Sequence, residues 1–219
     1  QHLIKYGAKL KGDIFEFGTF KGKSIIAMAI LCKKLKINKT IYGFDSFSGF
    51  PSYHKFDQLN NFNKRYFNKQ TIIDHKINFE IKKFTSSQKE ITVSNISTSN
   101  EFKSSHSELL KKIKFLKLNN IKLIKGDFAK SIPKFISKYD GKVFSANVDC
   151  DLYDGYRISL EFILANLIKK GFVNLDEYYS LKFPGAKIAT DMALKESKIE
   201  LKFFQRNSKE FKRFYLFNK

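Results

Sequence analysis

Asp13-Ile14-Phe15-Glu16-Phe17-Gly18-Thr19-Phe20-Lys21-Gly22-Lys23-Ser24, a helix-like segment, and then Ile41-Tyr42-Gly43-Phe44-Asp45 form the stretch that decides the fold. A short apolar run ends in an acid and a glycine, and a second glycine follows four residues later. An amphipathic stretch then leads to a second apolar run, which also ends in an acid. This is the layout of a β-α-β nucleotide-binding unit, in which glycine allows tight turns and close approach of the backbone to a ligand. Asp45, ending the second strand, is placed to accept hydrogen bonds from a pair of ribose hydroxyls. The three-glycine dinucleotide fingerprint is not matched, and there is no phosphate-binding lysine-serine loop. Glu16 at the end of the first strand suits a ligand without pyrophosphate, such as S-adenosylmethionine.

Working outward, residues 1 to 11 read as the tail of a helix on Leu3, Tyr6 and Leu10, whose upstream part is expected to be missing. Strands are expected at 13–17, 40–45, 121–125, 142–148, 171–175, 199–204 and 211–217. Helices are expected at about 22–36, after a Ser105–Glu108 capping box, and at 129–138, 153–169 and 186–197. Alternating strands and helices imply a seven-stranded, mostly parallel α/β sheet with helices on both faces, and the short polar turn near the C-terminus makes the last strand antiparallel. Residues 1–219 read as a single domain. Between about 52 and 104 the periodicity weakens, leaving a variable lid or insertion in which short helices or a hairpin are expected.

The net charge is +20, from 41 basic and 21 acidic residues. Only Arg65, Arg157, Arg206 and Arg213 are arginines; the other basic residues are lysines spread along the chain with abundant Asn, Ile and Phe. Arginine supplies the bidentate contacts that read bases and clamp phosphates, so its scarcity weighs against a nucleic-acid surface and for a codon bias. No apolar run is long enough to span a membrane, and no cleavable leader is evident. Cys32 and Cys150 do not form a disulfide framework, which points to a reducing, cytoplasmic setting.

Acids are outnumbered two to one, yet Glu16, Asp45, Asp149, Asp151, Asp176 and Glu177 each follow the C-terminal end of an expected strand. In an open parallel sheet those ends line one crevice. Collected carboxylates repel unless a cation balances them. Two candidates are a sulfonium cofactor near Glu16 and Asp45, and a hard divalent cation on Asp149, Asp176 and Glu177. Magnesium suits a site with few carboxylates, because it keeps waters that a substrate hydroxyl can displace.

Four segments then carry a resemblance: Glu16-Phe17-Gly18-Thr19-Phe20-Lys21-Gly22, Phe44-Asp45-Ser46-Phe47-Ser48-Gly49-Phe50-Pro51, Val148-Asp149-Cys150-Asp151-Leu152-Tyr153 and Gly171-Phe172-Val173-Asn174-Leu175-Asp176-Glu177-Tyr178. In order and spacing they resemble motifs of the TylF/MycF macrocin O-methyltransferase family, over residues 12 to 217 apart from 52 to 104. The chain departs at Cys150, where the family usually has Gly, and at Glu177, where it has Asp. The resemblance implies a Rossmann-like class I methyltransferase fold that uses S-adenosylmethionine and Mg2+ to methylate a hydroxyl, typically of a sugar. It implies that Glu16, Gly18, Thr19 and Ser24 surround the methionine part of the cofactor. Asp45 would hold the ribose with Ser46 beside it, Asp127 and Phe128 would border the adenine, and Asp149, Asp176 and Glu177 would bind the metal. A homodimer or larger assembly is implied too.

The expected reaction is an in-line displacement in which orientation does most of the work. Asp151, two residues from the metal ligand Asp149, is the first candidate for general base, with His54, His75 and His106 as weaker ones. Tyr153, Tyr178 and Tyr179 are candidates for the acceptor site, which would take a small-molecule or glycan hydroxyl. The contrasting reading is an RNA-binding protein or RNA methyltransferase working through the lysine-rich surface.

Overall fold

Seven strands, β1 (Asp13–Phe17), β2 (Ile41–Asp45), β3 (Ile121–Lys125), β4 (Val143–Val148), β5 (Leu167–Leu175), β6 (Glu200–Phe204) and β7 (Arg213–Phe217), form one sheet in the computed structural model, which describes residues 1–100, 104–208 and 210–219. Their order is β3-β2-β1-β4-β5-β7-β6. The pairs from β3 to β5 are parallel, and β7 runs antiparallel to both β5 and β6. Connections leave β1 toward β2 on one side and β4 toward β5 on the other. The topology therefore reverses between β1 and β4, where an open α/β sheet leaves a crevice at its C-terminal edge.

Alternation along the strands splits the core into two layers. Phe15, Phe17, Phe44 and Val148 face α5 (Phe128–Ile136), α6 (Tyr153–Asn166) and α7 (Pro184–Leu194). Ile14, Ile41 and Phe144 face α2 (Lys23–Lys34) and α4 (His106–Phe115), with Leu3 and Tyr6 of α1 (His2–Tyr6) packed beside them. Phe17 and Phe44 stack at 5.0 Å between ring centroids, both fully buried. Each such side chain contributes roughly 1.5–3 kcal/mol by leaving water.

Three expectations change. The helix expected over 153–169 stops at Asn166, because Leu167 is drawn into register with Val143 and the Asn218 side chain donates to the carbonyls of Leu167 and Ile168 at 3.0 and 3.1 Å. The 52–104 region does hold short helices, at Lys55–Asp57, Leu59–Asn61 and Thr98–Asn100, but it also contains the 17-residue α3 (Lys69–Thr85), N-capped by the Asn68 side chain accepting from Thr71 N at 2.9 Å. Its signal is weak because only Thr71 and His75 are buried, while Ile73, Ile77 and Ile81 face outward. Residues 101–103 of that region lie outside the described residues. The capping box before α4 is half formed, with the Ser105 side chain accepting from Glu108 N; a complete one joins His54 and Asp57 instead. No helix among the described residues is long and apolar enough to cross a membrane.

Candidate active site

The C-terminal ends of β1, β2, β4 and β5 open into a cavity of about 640 Å3, within the range of small-molecule sites. Its floor begins with Gly18, whose φ of +93° is in the left-handed region. A Cβ there would run into the Asp149 carbonyl. Gly18 thus lets β1 and β4 close on each other at the switch point, and Asp149 N donates to Phe17 O at 2.8 Å across the same junction. Here it is the neighbouring strand that demands the glycine.

Asp45 stands at the end of β2 with both carboxylate oxygens already oriented: Oδ2 accepts from Phe20 N at 2.7 Å and Oδ1 from Phe47 N at 2.6 Å. Each oxygen keeps a lone pair for a ligand hydroxyl. Phe20 and Phe47 both adopt positive φ (48° and 55°), so the two loops are bent to bring their N–H groups onto this one side chain. Ser46 lines the cavity, its hydroxyl donating to Gly49 O. Asp127 and Phe128 line it from the β3 side, where Asp127 also caps α5 by accepting from Ala129 N at 2.9 Å.

Glu16, Thr19 and Ser24 are not on the wall. Glu16 is fully buried beneath it, accepting from the Ser24 hydroxyl and from Asn147 Nδ2 at 3.0 Å, while Thr19 turns its hydroxyl to Phe44 O. Asn147 Oδ1 in turn accepts from Asn174 Nδ2 at 2.7 Å. Sheet register places Glu16, Asn147 and Asn174 side by side on β1, β4 and β5, so a polar row runs under the crevice on the α2 face. Sequence reasoning missed Asn147 and Asn174. The signal was present: each precedes a strand-end acid by two residues, and a two-residue period puts both on one face of the strand. Glu16 Oε2 is buried without a hydrogen-bond partner among the described residues. Burial raises the Glu16 pKa despite the Ser24 and Asn147 donors. An orphaned acceptor below the wall is a place for a donor from a ligand.

Asp149, Asp151, Asp176 and Glu177 share the far end of the cavity. Burial, then the Asp176 and Glu177 carboxylates, push the Asp149 pKa up to about 8. Asp151 is raised well above the usual carboxylate range, first by burial and then by Glu177 and Asp149, and its φ of +62° holds it in a left-handed turn. Burial raises Glu177 as well, opposed by the Ser180 hydroxyl and by Lys182. Tyr156 fixes this group in place. Its buried hydroxyl donates to Val148 O at 2.9 Å and accepts from Glu177 N at 2.8 Å, tying the end of β4 to the turn after β5. Among the described residues no three acidic, histidine or cysteine side chains are gathered into a ready-made metal site. The donor set is nonetheless all oxygen and mutually repelling, which fits a hard cation that keeps several of its waters.

Among the described residues the lining carries seven carboxylates and one base, Arg157, whose guanidinium is engaged by Asp154 and Glu161 at 3.5 and 2.8 Å. In a chain of net charge +20 this concentration of negative charge is selective. It repels phosphate and favours a cationic ligand. None of the four histidines lines the cavity. His75, one of the weaker general-base candidates, is buried, stacked on Phe62 at 3.7 Å with Nδ1 against Leu181 O at 2.8 Å. His54 stacks on Tyr153 and His106 meets Phe47 edge-on.

The 52–104 region supplies much of the remaining wall through Ser52, Thr98, Ser99 and Ser104. It is anchored by Asp57, fully buried, which accepts from Tyr153 N at 2.8 Å at the start of α6 and from His54 N at 2.8 Å. Val93 packs with Leu152 and Phe183 in a small core of its own beside the cavity.

The fold is the Rossmann-like class I methyltransferase fold. Two solved structures match nearly the whole chain: the calicheamicin methyltransferase CalS11 (19% identity, 99% of this chain and 74% of that one, TM-score 0.64) and the O-methyltransferase NovP (16% identity, 99% and 76%, TM-score 0.68). An O-methyltransferase from Bacillus cereus in complex with SAH matches at 13% identity over 99% of this chain and 77% of that one, with a TM-score of 0.54. No protein-family model and no curated protein matches the sequence.

Proposed function

We propose that this chain is an S-adenosylmethionine-dependent O-methyltransferase of the TylF/MycF type that methylates a hydroxyl of a sugar or glycosylated metabolite with the help of Mg2+. The observation that carries this reading is the acid-lined cavity at the β1/β4 switch point, with the pre-oriented Asp45 at one end and Asp149, Asp151, Asp176 and Glu177 at the other. CalS11, similar in fold, is described as a TDP-rhamnose 3'-O-methyltransferase, which supports a sugar acceptor.

In this reading Asp45 takes the ribose hydroxyls, with Ser46 beside it, and Asp127 and Phe128 border the adenine. Gly18 contributes the tight floor under the methionine portion. Glu16, steadied by Ser24 and Asn147, offers its unpartnered oxygen to a donor there, and Thr19 holds the turn. Asp149, Asp176 and Glu177 would hold the metal. Bound in these places, the cofactor would supply an activated methyl group and the cation would lower the pKa of an acceptor hydroxyl. Asp151, beside these carboxylates, would take the proton lost by that hydroxyl as its oxygen receives the methyl group. The segment 52–104 serves as a cover that keeps water from the reacting atoms.

Calorimetric titration of S-adenosylhomocysteine tests the reading. We expect micromolar binding to the wild type, lost in Asp45→Ala. A folded wild type that does not bind it would leave the fold and sink the methyltransferase assignment.

A further inference from the structure

A second cavity, of about 400 Å3, adjoins the first. Asp176 and Glu177 line both, so the turn after β5 is the partition between them. The charge on the two sides differs, because the second wall adds cations to the two carboxylates of the partition. Beyond the partition the wall carries Lys182, Lys212 and Arg213, and among the described residues none of the three forms an ion pair within 4.0 Å. Lys182 faces the Glu177 and Asp151 carboxylates, whereas Lys212, 4.6 Å from the Phe203 ring, and Arg213 are left to attract an anion, and Arg213 in particular offers the planar fork that grips phosphate.

Two aromatic residues complete the wall. Phe211 is 71% exposed and lies 5.9 Å from Tyr179, whose hydroxyl is held by Asp74 of α3 at 3.0 Å. An exposed ring beside two cations is suited to the face of a sugar or base. Asn78 and Asn174 add neutral hydrogen-bonding groups. A neutral glycan would use the aromatic and amide groups and leave Lys212 and Arg213 idle.

We propose that this second cavity binds the phosphate-bearing part of the acceptor, a sugar phosphate or nucleoside diphosphate sugar. The anion sits on Lys212 and Arg213 and a sugar hydroxyl reaches over the partition toward Asp176 and Glu177. The proposal rests on the methyltransferase reading for what happens at the partition. The signs of charge explain the orientation: the carboxylates exclude phosphate from the first cavity, and the cations receive it in the second.

The test is binding of UDP-glucose, glucose 1-phosphate and glucose to the full chain containing saturating S-adenosylhomocysteine, read by calorimetry. Wild type should bind at least one of the two phosphorylated probes at least tenfold more tightly than glucose. Lys212→Gln combined with Arg213→Gln should weaken that binding at least tenfold while changing S-adenosylhomocysteine affinity less than twofold. A preference for UDP-glucose assigns the nucleoside diphosphate, and equal binding of both assigns the phosphate alone; either supports the site. Equal binding by the double variant overturns it. So does a wild type that takes up S-adenosylhomocysteine but neither phosphorylated probe, or one in which Lys212 and Arg213 bind an RNA oligonucleotide more tightly than either. Failure of S-adenosylhomocysteine itself to bind is a separate result and strikes the methyltransferase reading.

Discussion

The Tyr156 hydroxyl accepts from the backbone N–H of Glu177 at 2.8 Å while donating to Val148 O, so one buried side chain on α6 sets the spacing between the acids after β4 and those after β5. The site's geometry therefore depends on a residue that lies outside its lining.

Tyr156→Phe keeps the ring and removes the hydroxyl. It leaves a buried N–H and a carbonyl without that partner, at about 1–3 kcal/mol for each unsatisfied group. Urea denaturation should show a loss of about 3 kcal/mol, and S-adenosylhomocysteine affinity should change little because Asp45 is untouched. A midpoint equal to wild type would show that the hydroxyl does not bear on stability.

Asp57 makes a pH prediction. Its pKa is raised to about 6, burial being the largest cause, against the N–H groups of Tyr153 and His54. A carboxylate whose folded pKa lies above its unfolded value favours folding when protonated. Its contribution is fully present below about pH 4 and is lost as pH rises to 6. The stability of wild type relative to Asp57→Asn should fall by ~3 kcal/mol between pH 4 and pH 7, following from a shift of about two pKa units. Denaturation curves of the two proteins at both pH values measure it.

Most of the sheet was legible because every strand but β6 is a short run closed by an acid, an asparagine or a glycine. Asp13–Phe17 and Ile121–Lys125 match the expected strands residue for residue. The strand-end acids were legible for the same reason, and Gly18, Asp45, Asp127, Asp149, Asp151, Asp176 and Glu177 do meet at one cavity. What was hidden depends on contacts across the chain. Asp57 lies in a stretch without clear periodicity and gains its anchoring role from Tyr153, 96 residues away. Helix α3 buries Thr71 and His75 and leaves Ile73, Ile77 and Ile81 outside, so most of its apolar residues mark the wrong face. The burial of Glu16 beneath the wall follows from its pairing with Asn147, which only the register of β1 against β4 reveals.

Asp149 should trade stability for function. Its pKa, raised to about 8 by burial and the nearby carboxylates, means that protonation favours the folded state, an advantage lost as pH rises from about 4 to 8. Asp149→Asn removes the charge without changing the shape. After allowance for solvent screening, the metal-free variant should exceed wild type by ~1–2 kcal/mol at pH 8. Mg2+ should raise the melting temperature of wild type, more at pH 8 than at pH 6 because it competes with the proton, and should not raise that of the variant. Thermal melts with and without Mg2+ at both pH values check both effects.

Gly18 and Gly126 separate two reasons for glycine. Both have positive φ, +93° and +143°, but a Cβ at Gly18 would meet the Asp149 carbonyl, whereas at Gly126 the nearest atom, Ser131 Cβ, is 3.5 Å away. Gly126→Ala should bear the backbone strain alone, about 1–2 kcal/mol. Gly18→Ala should add the displacement of β4 from β1, for a total of about 4 kcal/mol. That displacement moves Asp149 relative to Asp45, so any Gly18→Ala protein that remains folded should bind S-adenosylhomocysteine at least tenfold more weakly. Gly126→Ala should stay within a few fold of wild type. Equal stability losses in the two variants, measured by urea denaturation, would mean that strand closure at the switch point does not require a glycine.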